Sequence, residues 1–187
     1  QKAYLIEYNP NLRDFIKNEI SRNGWTHKVE LIWGDAMKVE LPEKVDFIVG
    51  ELMSIYCANE YQVQIFKHLR QFLKPGGKLL PEKIINIIQL ANAEFDKNQK
   101  HYPINFTRHL PTNLSLQQVF NTTDLYNVED EIVKQNIPVT PMLSGEANAV
   151  YMHSFIEIIK GCNFTGSDSL MPPTVCRLEQ PIQVEAN

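Results

Sequence analysis

No stretch of about 18 consecutive apolar residues occurs in this chain, so no bilayer-crossing helix is encoded. No leader pattern opens it either, and the expectation is a cytoplasmic protein with no membrane partner. A block of Lys and Arg is also missing. The 18 basic residues stand against 22 acidic ones, a net charge of -4, which argues against a nucleic-acid surface and suits a basic peptide better. Cysteine is scarce: Cys57, Cys162 and Cys176 form an odd set without CxxC spacing, which argues against a disulfide frame and a zinc site and favours reduced thiols. Without a Cys/His cluster no metal is implied. The sequons at Asn105, Asn113, Asn121 and Asn163 are read as chance in an Asn-rich chain with no leader.

What is present suffices for one core or somewhat more, since 43% of the 187 residues are hydrophobic. The stretch that organises the chain is Val45-Asp46-Phe47-Ile48-Val49-Gly50-Glu51-Leu52-Met53-Ser54-Ile55-Tyr56-Cys57-Ala58-Asn59-Glu60. Its apolar run reads as a buried parallel strand that stops at Gly50, with a carboxylate immediately after. Ligands in open α/β sheets collect at the carboxyl ends of strands, so Glu51 is expected at the mouth of a site. Glu60 adds a second carboxylate after a segment too apolar for a solvated loop. Two acids on one loop make a receptor for a cation.

Before this stretch, residues 3–8 read as a strand, Asn9-Pro10 as a helix start, Leu12, Phe15, Ile16 and Ile20 as a helical stripe, and Asn23-Gly24 as its cap. Residues 29–33 form a second strand that leaves through Gly34-Asp35-Ala36. After Glu60, residues 63–73 carry a broad helical apolar face, Lys74-Pro75-Gly76-Gly77 forces a tight turn, and residues 78–81 return as a strand. Residues 84–95 read as a long strand, 115–120 as one turn of helix, 149–159 as β, and 172–184 as a strand pair. The fold class is thus α/β: a Rossmann-like doubly wound half over residues 1–82, then a mostly β half over 83–187.

Glu7, at a strand tip, stands where an acid accepts from the two ribose hydroxyls of a nucleotide-like cofactor, or simply caps the next helix. Asp35 with Ala36 repeats that geometry one strand over, where a carboxylate can accept from an adenine amine; taken alone it is a turn Asp. His68 and His153 are read as structural, and Trp25 and Trp33 as packing.

These motifs resemble the class I S-adenosylmethionine-dependent methyltransferases, and specifically the protein arginine methyltransferases. Ile6-Glu7-Tyr8-Asn9-Pro10 is similar to the family's ribose-binding segment and Gly34-Asp35-Ala36 to its adenine contact. The segment from Glu51 to Glu60, including Met53, resembles the double-glutamate loop, although Gly50 and Ser54 stand where a Ser and a Gly are usual. The Lys74-Pro75-Gly76-Gly77 turn is common to many class I methyltransferases. The resemblance implies S-adenosyl-L-methionine as cofactor, contacted by Glu7, Asp35, Ala36, Glu51 and Met53. It implies Glu51 and Glu60 as catalytic residues that clamp a guanidinium, an arginine-containing protein or peptide as substrate, a barrel-like second domain, and a homodimer formed through an arm within residues 96–146.

Two departures accompany it. The family's Gly-rich turn after the first strand is absent, so the sheet is expected to lack that strand: either the site has diverged or residues ahead of Gln1 and near Thr174 are omitted, and the expectation is an incomplete chain. A Thr-His-Trp core is expected near Pro172-Pro173-Thr174, where Val175 and Cys176 follow instead. Two other readings stay open: a class I methyltransferase for a small amine or another acceptor, and a non-catalytic assembly module.

Overall fold

The computed structural model describes residues 1–57, 60–104, 110–129, 133–165 and 171–186. Strand β1 (Ala3–Glu7) opens it, and Asn9 caps a short 3-10 turn by accepting from the Asn11 amide. Pro10 takes the first position of that turn, where its missing N–H leaves no bond unmade. Helix α1 (Arg13–Arg22) ends at Asn23, whose side-chain amide donates to the Glu19 carbonyl, and Gly24 follows with a left-handed φ of 67°. Strand β2 (Val29–Trp33) pairs in parallel with β1 and sets Glu7 opposite Trp33.

Strand β3 (Val45–Val49), helix α2 (Gln62–Leu69) and strand β4 (Leu73–Leu80) form a second parallel unit. The expected tight turn lies inside β4. Pairing jumps from Val45 opposite Leu73 to Phe47 opposite Lys78, so residues 74–77 bulge from the ladder with Gly76 at φ 77°.

The two parallel pairs are not joined into one sheet by any strand among the described residues. Phe47 and Val49 of β3 are 63% and 73% exposed, Phe15 of α1 is 64% exposed, and α1 buries no residue at all. Apolar side chains and backbone edges left open in this way are the pattern of a parallel sheet without its central strand.

The second half is built on strand β5 (Lys83–Asn92). It runs antiparallel to β9 (Gly145–Ile159), from Lys83 opposite Glu157 to Ala91 opposite Ala149. On its other edge β5 carries β8 (Gln118–Asp124) and β7 (Thr112–Asn113). On the far side of β9 lie β11 (Thr174–Val184) and β10 (Cys162–Thr165), with β6 (His101–Pro103) outermost on β11.

Three expectations are corrected here. The barrel does not close: among the described residues the sheet ends on β6 and β7, which have three and two residues and too few backbone groups to zip together. The helical turn expected at residues 115–120 is extended. Ser115 bridges Pro141 and residues 118–120 enter β8, whose Val119, Thr122 and Thr123 favour a pleated backbone. Residues 174–184 form one strand with a register break between Arg177 and Ile182 where a pair of strands was expected.

Ile65, Phe66 and Leu69 of α2 pack with Ile48, Leu79, Ile84, Leu125, Ile156 and Met171, so one core draws on both sides of residue 82. A smaller cluster of Ala91, Ala93, Tyr102, Ala149 and Val175 lies on the opposite face of the sheet. Among the described residues no helix is long and apolar enough to cross a membrane.

Candidate active site

Glu7 and Asp35 stand at the carboxyl ends of adjacent parallel strands, tied by a bond from the Gly34 amide to the Glu7 carbonyl (3.1 Å). The Glu7 carboxylate accepts from the Asn9 amide through Oε1 (2.6 Å), so it caps the turn that follows. Its other oxygen has no hydrogen-bond partner among the described residues, which leaves an acceptor for a ribose hydroxyl. Asp35 accepts from the Met37 amide (2.9 Å), and its Oδ2 lies 3.6 Å from the exposed Lys38 ammonium. An exposed pair this loose is worth little, so that oxygen too can be given to a ligand. Ala36 packs against the main core.

His68 holds this loop to α2. One ring nitrogen, Nε2, lies 2.8 Å from the Val39 carbonyl, and Nδ1 lies 3.1 Å from the Gln71 amide nitrogen. Nε2 is therefore the protonated nitrogen in the neutral ring, donating to Val39 while Nδ1 accepts. At the strand exit a Cβ on Gly34 would meet Val39 Cγ1 at 2.8 Å.

The acidic loop leaves β3 at Gly50, whose amide donates to the Leu80 carbonyl (3.0 Å). Glu51 and Glu60 are both exposed, and neither has an ion-pair partner among the described residues. Glu60 precedes Tyr61, the N-cap of α2, where the helix end favours negative charge. Met53 packs half-buried against the main core, which is the gap-filling role open to it.

Between the two acids the backbone is held at several points. Gln62 is fully buried and its side-chain amide donates to Ser54 Oγ (3.0 Å) and toward the Ser54 carbonyl (3.4 Å). Tyr56 and Cys57 both take left-handed φ values, 57° and 56°, which non-glycine residues hold only under outside constraint. The Tyr56 hydroxyl donates to the Ile87 carbonyl (2.9 Å), its ring packs on Phe120 at 5.5 Å, and burial pushes its pKa up. Burial also pushes the Cys57 thiol up to about 11, partly offset by a hydrogen bond with Thr123. The sequence does not mark Gln62 or His68 for these roles, nor Asn86 of β5 and Ser154 of β9, which bond to each other beneath the loop. The one available sign was a polar residue inside an apolar run, Asn86 within Ile84-Ile85-Asn86-Ile87-Ile88.

A sequence profile described as PRMT5 arginine-N-methyltransferase matches residues 1–80. Over 80 residues, 43% of this chain and 15% of the relative, the sequence is 38% identical to the histone-arginine methyltransferase CARMER of Drosophila persimilis. Over its first 80 residues the chain is similar to the protein arginine methyltransferases.

Likeness over nearly the whole length comes from more distant matches. The uncharacterized protein MJ1452 of Methanocaldococcus jannaschii is 27% identical over 190 aligned positions, covering 97% of this chain and 69% of the relative. In fold it matches the Trypanosoma brucei PRMT1 enzyme-prozyme heterotetrameric complex with AdoHcy (TM-score 0.77, 14% identity, 99% of this chain, 68% of the other). It also matches Arabidopsis thaliana protein arginine methyltransferase 10 (TM-score 0.76, 15% identity, 99% and 70%).

Against that family two local departures have a physical reason. A Cβ on Gly50 would lie 2.9 Å from Phe66 Cζ, so the α2 aromatic leaves room only for glycine, and Ser54 takes the bonds of Gln62. Where a Thr-His-Trp core was expected, Thr174 opens β11, Val175 is fully buried, and no Trp follows.

Proposed function

We propose that the protein is an S-adenosylmethionine-dependent methyltransferase that acts on arginine side chains of a protein or peptide. The observation that carries this reading is the loop from Glu51 to Glu60: two exposed acids without a cationic partner among the described residues, with Ser54 and Tyr56 between them bonded to α2 and to the sheet. A guanidinium presents five donors in a planar fork, so two carboxylates can hold it from two sides and keep one nitrogen in line for displacement. The mutual repulsion of Glu51 and Glu60 is relieved when the cation arrives. Glu60 takes the proton that the nitrogen loses.

The cofactor, when bound, supplies an electrophilic methyl on a sulfonium. Glu7 and Asp35, with an acceptor oxygen each at neighbouring strand ends, suit its ribose and adenine, with Ala36, Glu51 and Met53 lining the rest. The division near residue 82, a homodimer and a cytoplasmic location belong to the same reading. They are supported by the family resemblance.

The test is methyl transfer by the full-length gene product to an Arg-rich peptide and to the same peptide with Lys throughout. Transfer to the first and not the second is expected. Transfer to a small amine alone would favour another acceptor class, and no cofactor binding in calorimetry would favour an assembly module.

A further inference from the structure

A row of polar side chains, buried at Asn86 and Ser154 and half-buried at Asn121, crosses the sheet directly beneath the acidic loop. Asn86 of β5 sits opposite Asn121 of β8 on one side and Ser154 of β9 on the other. The Asn86 amide donates to Asn121 Oδ1 (2.8 Å), and the Ser154 hydroxyl donates to Asn86 Oδ1 (2.7 Å). Asn86 is 2% exposed and Ser154 is fully buried. Their flanking residues are apolar, Ile84 and Ile88 on β5 and Met152 and Ile156 on β9. A strand face of that kind packs most simply with apolar residues throughout, and a buried amide and hydroxyl cost stability unless every group is bonded.

The row ends on the loop. Ser154 Oγ has given its proton to Asn86, so it is an acceptor, and the Tyr56 amide donates to it (3.3 Å). At the other end Asn121 donates to Thr123 Oγ1 (3.2 Å), and Thr123 is the hydrogen-bond partner of Cys57. The two residues so reached, Tyr56 and Cys57, both have left-handed backbone and, among the described residues between Glu51 and Glu60, are the two that do.

We propose that the Asn121–Asn86–Ser154 row holds the Tyr56 turn and thereby sets the spacing of Glu51 and Glu60, which makes Asn86 and Ser154 positioning residues for methyl transfer. The inference rests on the function proposed above for its kinetic consequence, but not for the anchoring itself. Neither residue touches substrate. Their effect is on orientation, so it falls on kcat and spares cofactor affinity.

The test uses the full-length gene product with Ser154→Ala, Ser154→Thr, and the apolar pair Asn86→Leu with Ser154→Ala, which removes the Asn86 side-chain amide together with the hydroxyl that donates to it. Hydrogen exchange of the Tyr56 amide is expected to rise about tenfold in Ser154→Ala and in the double variant, with β5 and β9 amides unchanged, and to return in Ser154→Thr. Toward an Arg-rich peptide, kcat is expected to fall about 10- to 100-fold with the S-adenosylmethionine Kd unchanged, since misplacement of catalytic groups costs that much. Unchanged exchange at Tyr56, or faster exchange across the whole sheet without rescue by Thr, overturns the proposal. If the wild type methylates no arginine, the proposed function fails, while the exchange data still decide whether the row anchors the turn.

Discussion

At position 50 a methyl group would sit 2.9 Å from the Phe66 ring, and Phe66 is itself fully enclosed by the core. Gly50→Ala must therefore displace that ring, and overpacking of this kind costs about 1–3 kcal/mol, to be read as a lowered melting temperature. An unchanged melting temperature would mean the ring can move aside. His153 offers a second test. It is buried between Tyr151 and Phe155 at ring distances of 5.7 and 5.2 Å, its Nε2 has no hydrogen-bond partner among the described residues, and burial lowers its pKa. A group whose folded pKa is depressed binds its proton more readily when unfolded, so stability falls as pH drops below about 6.5, the ordinary histidine value. His153→Phe should flatten the decline in melting temperature between about pH 6.5 and pH 5, and an unchanged slope would assign it elsewhere. The strand-end places of Glu7 and Asp35 and the exit of Glu51 from β3 were legible because each acid follows a short apolar run. Gln62, Ser154 and His68 were not, because a lone polar residue carries no sign of which distant backbone it bonds.

The elements differ in how completely they are paired. Among the described residues, strands β5 and β9 have neighbours on both edges, whereas β1 and β3 each have one. Amide exchange is therefore expected to be slowest in residues 84–90 and 150–156 and faster in β1 and β3, and equal protection would contradict the open edges. Leu79→Ala, in the fully buried part of β4, should cost about 2–5 kcal/mol because the surrounding core collapses only partly into the space. Strands rich in Val and Ile and the stripe of α2 were readable from period alone, as was the cap at Asn23. Residues 115–120 were not. Their pattern suits either period, and it is pairing with β5, a long-range contact, that draws residues 118–120 into a strand. The open sheet follows from edge strands of three and two residues, a length that no apolar pattern announces.

Across the whole molecule, the parallel strand ends bring Glu7 and Asp35 together, and the large antiparallel sheet supplies the floor on which the acidic loop rests. The core continues from α2 through Leu79 and Ile84 to Ile156, so the loop between β3 and α2 is held from both halves. The claim on which the functional reading depends is that Glu51 and Glu60 act together on a cation. Its most direct measurement is the rate of methyl transfer to an Arg-rich peptide by the Glu51→Gln and Glu60→Gln variants of the full-length gene product, with cofactor affinity followed in parallel. Loss of about 100-fold or more in kcat for each, with Glu60→Gln binding S-adenosylmethionine as tightly as the wild type, is the expected result. A rate that either substitution leaves unchanged would contradict it.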